Sequence, residues 1–124
     1  MSAEDNKQAA KDGYAAFSRG DAEEAMANIS DSIEWVVGGD NAATGTLHGK
    51  QEVGEFWAQI GEKGFQTSPR EFNAEGDTVT VHTTVSLGGD QRDAVDVLTY
   101  DDDGQLVRFE TSGGEDLIDK AFPR

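Results

Sequence analysis

The sequence predicts an α+β domain in which a few helices pack on a strongly curved antiparallel sheet and leave a pocket between the two layers. Two observations carry this. Apolar residues recur at helical spacing up to Gly61, and from Pro69 onward the pattern changes to period two, interrupted by short turns rich in Gly and Asp. The length of 124 residues suits one domain spanning residues 1–124 around one hydrophobic core.

The elements follow in order. Ala10, Tyr14 and Phe17 lie on one face of a first helix that stops at Ser18-Arg19-Gly20. Asp21 restarts it as an N-cap, with Glu24 three residues on, and Ala22, Met26, Ile29 and Ile33 continue an apolar stripe. Ile33 to Val37 is β-branched and aromatic, so it reads as a strand, and a loop follows from Gly38 to Gly49. Val53, Phe56, Trp57 and Ile60 form the stripe of a third helix ending near Gly61. Four strands then form a meander: Glu71 to Ala74, Thr78 to Leu87, Gln91 to Tyr100 and Gln105 to Thr111. Glu115 to Phe122 reads either as a short helix or as a loose tail.

Composition excludes several classes of function. A net charge of -15, from 25 acidic and 10 basic residues, repels nucleic acid and anionic membrane surfaces. The absence of cysteine removes disulfides, thiolate metal sites and a Cys nucleophile. No run approaches the roughly 20 apolar residues of a membrane span, and Met1 to Gln8 is polar, so a cytoplasmic protein is expected. Asp101-Asp102-Asp103-Gly104 lacks the alternating acids and the Glu in the twelfth position that a calcium loop needs; it reads as a turn. No metal and no cofactor are expected.

Three residues could carry chemistry. In Thr78 to Leu87 the odd positions are mainly apolar and should face the core, which turns His82 away and makes it structural. His48 sits in the loop before the third helix, within reach of a substrate but without a sequence-adjacent partner. Asp96 interrupts the apolar run Ala94-Val95-Asp96-Val97-Leu98, so its carboxyl must be paired, solvated or protonated. Inside an apolar cavity its pKa rises and the neutral acid can donate a hydrogen bond. Hairpin register decides: a three-residue loop sets Asp96 opposite Glu110, whereas a four-residue loop sets it on the face of Val107, Phe109 and Thr111. The apolar character of that face favours the second.

The order of elements, together with Phe17-Ser18-Arg19-Gly20-Asp21, Ile33-Glu34-Trp35, Gly49 followed by Val53-Gly54-Glu55-Phe56-Trp57-Ala58, and Asp103-Gly104-Gln105-Leu106-Val107, resembles the nuclear transport factor 2-like superfamily. Within it the chain is similar to SnoaL-like and ketosteroid isomerase-like small-pocket proteins. The resemblance spans nearly the whole chain and implies a cystatin-like fold with a cone-shaped pocket, hosting isomerases, cyclases, hydrolases or plain binders. Asp96 falls where ketosteroid isomerases keep a protonated Asp in the oxyanion hole. Counting from Gly20-Asp21, Val37 occupies the place of their proton-abstracting Asp and cannot accept a proton. The same count sets Gly13 at the oxyanion-hole Tyr, and an interhelical turn one residue shorter restores Tyr14 to that place. For the cyclases, which use acids or His on the last strands, Asp96 fits, and Glu110 fits only in the alternative register. Ala94 stands where the related epoxide hydrolases carry an Arg.

The expected lining is Tyr14, Phe17, Trp35, Val37, Phe56, Trp57, Leu98 and Phe109, around a small hydrophobic ligand with one polar group for Asp96. The same residues could instead fill a closed core, although two indoles need partners for their N–H groups. Val95, Val97 and Leu106 on the opposite face of the sheet imply burial by a second subunit, hence a homodimer. Two functions stand: a cofactor-free isomerase or cyclase acting on a small hydrophobic carbonyl or polycyclic compound through Asp96, and a non-catalytic binding or accessory protein. His48, Glu34 or Glu110 facing the pocket as a base favours the first, and an apolar wall around Asp96 favours the second.

Overall fold

Ser2 starts the first helix with a reciprocal cap: its hydroxyl accepts from the Asp5 amide at 3.1 Å, and its own amide donates to the Asp5 carboxylate at 3.2 Å. The computed structural model describes residues 2–124; Met1, the first residue of the polar N-terminal stretch, lies outside the described residues. The order is α1 (Ala3–Ser18), α2 (Ala22–Ala25), β1 (Ile29–Val37), β2 (Gly45–His48), α3 (Gly49–Glu62), β3 (Gln66–Glu75), β4 (Thr78–Leu87), β5 (Asp90–Tyr100), β6 (Leu106–Ser112) and α4 (Glu115–Ala121). None of the described helices is long and apolar enough to cross a membrane.

The α+β class holds, with four helices packed on one six-stranded sheet in the order β2-β1-β6-β5-β4-β3. The sheet is mixed rather than wholly antiparallel. β1 runs parallel to β6 because the chain leaves β1 through β2 and α3, builds the β3-to-β6 meander from the far edge, and returns beside β1 in the same direction. The expected loop from Gly38 to Gly49 also contains β2, which pairs Gly45 to His48 with Glu34 to Val37.

Two boundaries differ from the periodicity. The second helix is a single turn, capped by Asp21, whose carboxylate accepts from the Glu24 amide at 3.1 Å. Ile29 and Ile33 are therefore strand residues; their four-residue spacing satisfies period two as well as a helix, and both are buried on the inner face. β3 starts at Gln66 rather than Glu71, since Pro69 and a register shift between Pro69 and Glu71 hide its alternation. The Asp101 turn forms as expected: one Asp101 carboxylate oxygen accepts from the amides of Asp103 and Gln105, each at 2.9 Å.

Packing determines where space remains. α1 lies over β3 and β4, and α3 lies over β1 and β2. α4 is a helix, not a tail, and buries Leu117 completely beneath it. Phe56 of α3 stacks on Phe122, ring centroids 5.6 Å apart, so this end of the concave face is closed core. The other end stays open between α1, α2 and the inner faces of β5 and β6.

Candidate functional site: an apolar cavity with a Tyr14–Asp96 pair

The strand pattern of β5 turns Ala94, Asp96, Leu98 and Tyr100 inward, all buried, and leaves Val95, Val97 and Thr99 on the outer face. Asp96 pairs with Thr111 and Leu98 with Phe109, so Asp96 shares its face with Phe109 and Thr111. At Asp96 the face is the one favoured from sequence, opposite Thr111, although the turn itself closes more tightly, with the Asp101 amide donating to the Gln105 carbonyl at 2.9 Å. Tyr100 pairs with Leu106, and a register shift between Thr99 and Tyr100 restores the inward face of Phe109. Leu106 is correspondingly buried and lines the cavity, which corrects its expected place on the outer face.

Asp96 is 3% exposed, and both carboxyl oxygens are engaged. Tyr14, reaching down from α1, donates its hydroxyl to Oδ2, and the Thr111 hydroxyl donates to Oδ1 at 2.7 Å. Loss of hydration pushes the carboxyl above its ordinary range, and the two hydrogen bonds act against that rise. The Tyr14 phenol is pushed well up by burial first, then by the neighbouring Asp96. Tyr14 thus reaches Asp96 even though the count from Gly20-Asp21 lands one residue away.

The cavity beside this pair encloses about 120 Å³. Aromatic rings form its wall: Phe17 meets Trp57 edge-on at 5.2 Å, Trp57 meets Trp35 at 5.6 Å, and Trp35 stacks on Phe109 at 3.7 Å. Leu98, Ile29, Ile60, Tyr100 and Leu106 complete the apolar part, while exposed Asp12, Glu24 and Asn28 form the rim. Neither indole N–H has a hydrogen-bond partner among the described residues.

Two expected lining residues are elsewhere. Val37 and Phe56 face the closed end that α4 fills, so neither touches the cavity. The three bases considered from sequence are also absent from it. His48 is exposed at the N-terminus of α3, and Glu34 and Glu110 lie on the outer face in ion pairs with Arg108, at 3.6 and 3.7 Å. His82 points outward as read from the alternation.

The model of the SnoaL-like domain matches residues 10–109. The chain belongs to the SnoaL-like domain family. Solved structures agree with this fold. An NTF2-like protein of unknown function from Burkholderia pseudomallei is 24% identical over 100% of both chains, with a TM-score of 0.82. A protein of unknown function with a cystatin-like fold from Xanthomonas campestris is 23% identical over 96% of this chain and 98% of its own, with a TM-score of 0.86. TerC, co-crystallised with polyporic acid, is 27% identical over 94% of this chain and 97% of its own, with a TM-score of 0.82. Among curated proteins nothing matches the chain.

Besides Thr67 and the rim residues Asp12, Glu24 and Asn28, sequence reasoning missed Thr111 as a donor to Asp96 beside this SnoaL-like cavity and Tyr100 as a lining residue. The alternation contains the signal for both. Tyr100 shares parity with Asp96 and Leu98 on β5, and Thr111 shares it with Phe109 on β6.

Proposed function

We propose that this protein binds a small, flat, largely apolar molecule with one polar oxygen, which the Tyr14–Asp96 pair receives. The observation that carries the reading is a desolvated carboxyl, hydrogen-bonded on both oxygens, at the wall of an otherwise aromatic cavity. Each carboxylate oxygen has a second acceptor site left for a ligand hydroxyl, and the protonated acid can donate to a ligand carbonyl. The cavity volume of about 120 Å³ accommodates about one aromatic ring, and because the cavity opens between α1 and α2 the rest of a larger molecule can extend past the rim. TerC's pairing with polyporic acid supports an aromatic oxygen compound and makes polyporic acid a natural probe. The test is a thermal-shift screen of phenols, aryl ketones and polyporic acid on wild type and Asp96→Asn. Saturating ligand raises Tm by mass action. Stabilisation of wild type with an altered ligand profile in the variant supports the reading; no shift with any compound contradicts it.

Asp96 itself favours a second reading, cofactor-free proton transfer. Asp96 is the carboxyl in the apolar wall of the cavity, with Asp12 and Glu24 at its rim, so in this reading Asp96 takes a proton from the ligand and returns it. Acetophenone incubated with the protein in D₂O should then exchange its methyl protons faster than with Asp96→Asn. Equal exchange rates leave simple binding.

A homodimer through the outer face of the sheet belongs to the same proposal. Val36, Val95 and Val97 stand there partly exposed beside His82 and the Arg108 ion pairs, an apolar strip suited to a second copy.

A further inference from the structure

Tyr100 ends β5 with its ring against the cavity and is 4% exposed. Its backbone amide donates to the Asp77 carbonyl at 2.8 Å, so the main chain is fixed, but its hydroxyl has no hydrogen-bond partner among the described residues. That contrasts with Tyr14, whose hydroxyl is committed to Asp96, and with Thr111, likewise committed. The hydroxyl is open to the cavity rather than sealed in protein, so water can serve it, and a ligand that shuts that water out without accepting its hydrogen bond leaves it unpaired at a cost. The group is therefore available to something that enters the cavity.

The chemistry of that entrant follows from what surrounds it. Tyr100 offers a neutral O–H donor, so its complement is an acceptor oxygen. The rim carboxylates of Asp12 and Glu24 and the net charge of -15 disfavour a carboxylate or phosphate ligand. The cavity itself holds about one ring of the ligand. We infer that Tyr100 is a specificity-determining residue that donates a hydrogen bond to the carbonyl oxygen of a neutral aryl ketone or aldehyde in the cavity. The inference rests on the binding reading above and narrows its ligand from any oxygen compound to a carbonyl. Hydrocarbons of the same shape bind less well because they leave the hydroxyl unpaired.

The test compares acetophenone with its methylene isostere α-methylstyrene, which replaces C=O by C=CH₂, titrated by NMR into wild type and Tyr100→Phe. Wild type should prefer acetophenone, and Tyr100→Phe should cut that preference by about tenfold, the size of one hydrogen bond. The variant without ligand should melt close to the wild-type temperature, which shows that the fold is intact. An unchanged preference in Tyr100→Phe, with both compounds still binding, overturns this inference alone. If neither compound binds wild type, the binding reading fails and takes this inference with it.

Discussion

The Tyr14 hydroxyl donates to Asp96 Oδ2 and so joins α1 to β5 across 82 positions of sequence. One bond thereby fastens a helix over the mouth of the cavity and restrains the only buried carboxyl among the described residues. Tyr14→Phe keeps the ring against Phe72 but removes the donor. Unfolding in urea should show a loss of about 1–3 kcal/mol, and the Asp96 carboxyl, followed by carbon NMR, should titrate at higher pH than in wild type. An unmoved titration would mean that the hydroxyl does not act on Asp96.

Asp96 also gives stability a pH dependence of definite sign. Its folded pKa lies above the ordinary 3.8, so the fold favours the protonated form. The contribution is fully present below 3.8 and is lost as pH rises through the raised folded value. Asn imitates the neutral acid, so wild-type stability minus that of Asp96→Asn should fall as pH rises over that interval and then level. A difference that grows with pH contradicts a raised pKa.

Backbone geometry at the start of α4 makes a further prediction. Gly113 has φ +96°, and a Cβ there would sit 2.6 Å from the Asp93 carbonyl oxygen and 3.1 Å from Ala94 Cα. Gly88 has φ +63° with open space around it. Both alanine variants carry strain of about 1–3 kcal/mol, and Gly113→Ala adds a clash with β5 next to Asp96. Thermal unfolding should rank Gly113→Ala clearly below Gly88→Ala; equal losses would show that β5 yields at no cost.

The proposed dimer is tested at Val97, on the outer face between His82's strand and Glu110. Light scattering should report a dimer for wild type and a monomer for Val97→Lys, with the monomer retaining its near-ultraviolet spectrum. A monomeric wild type contradicts the dimer.

The fold was legible wherever one face of an element alternates cleanly. β4 appears at Thr78–Leu87 with the bounds that its period-two pattern sets, and α3 follows the Val53, Phe56, Trp57, Ile60 stripe. Legibility failed where one spacing satisfies two periods, as with Ile29 and Ile33, and where pairing depends on distant chain, as in the parallel return of β6 beside β1. The site divides the same way. Asp96 stood out because a carboxylate in an apolar strand must be explained, whereas Val37 and Phe56 were displaced by α4, whose docking no local pattern encodes. A bulge set the hairpin register, so counting loop residues could give the right face only by parity.

The proposed uptake of a small aromatic oxygen compound by the cavity beside Asp96 would be felt first at its aromatic wall. Nitrogen-edited NMR tests it most directly, because the chain has two tryptophans and both indole N–H groups belong to cavity-lining residues. Saturating acetophenone should move both indole signals together with the Thr111 amide, and leave Val95 and Val97 on the outer face unmoved. Indole signals that stay fixed at saturation, or shifts confined to the outer face, would contradict the proposed uptake.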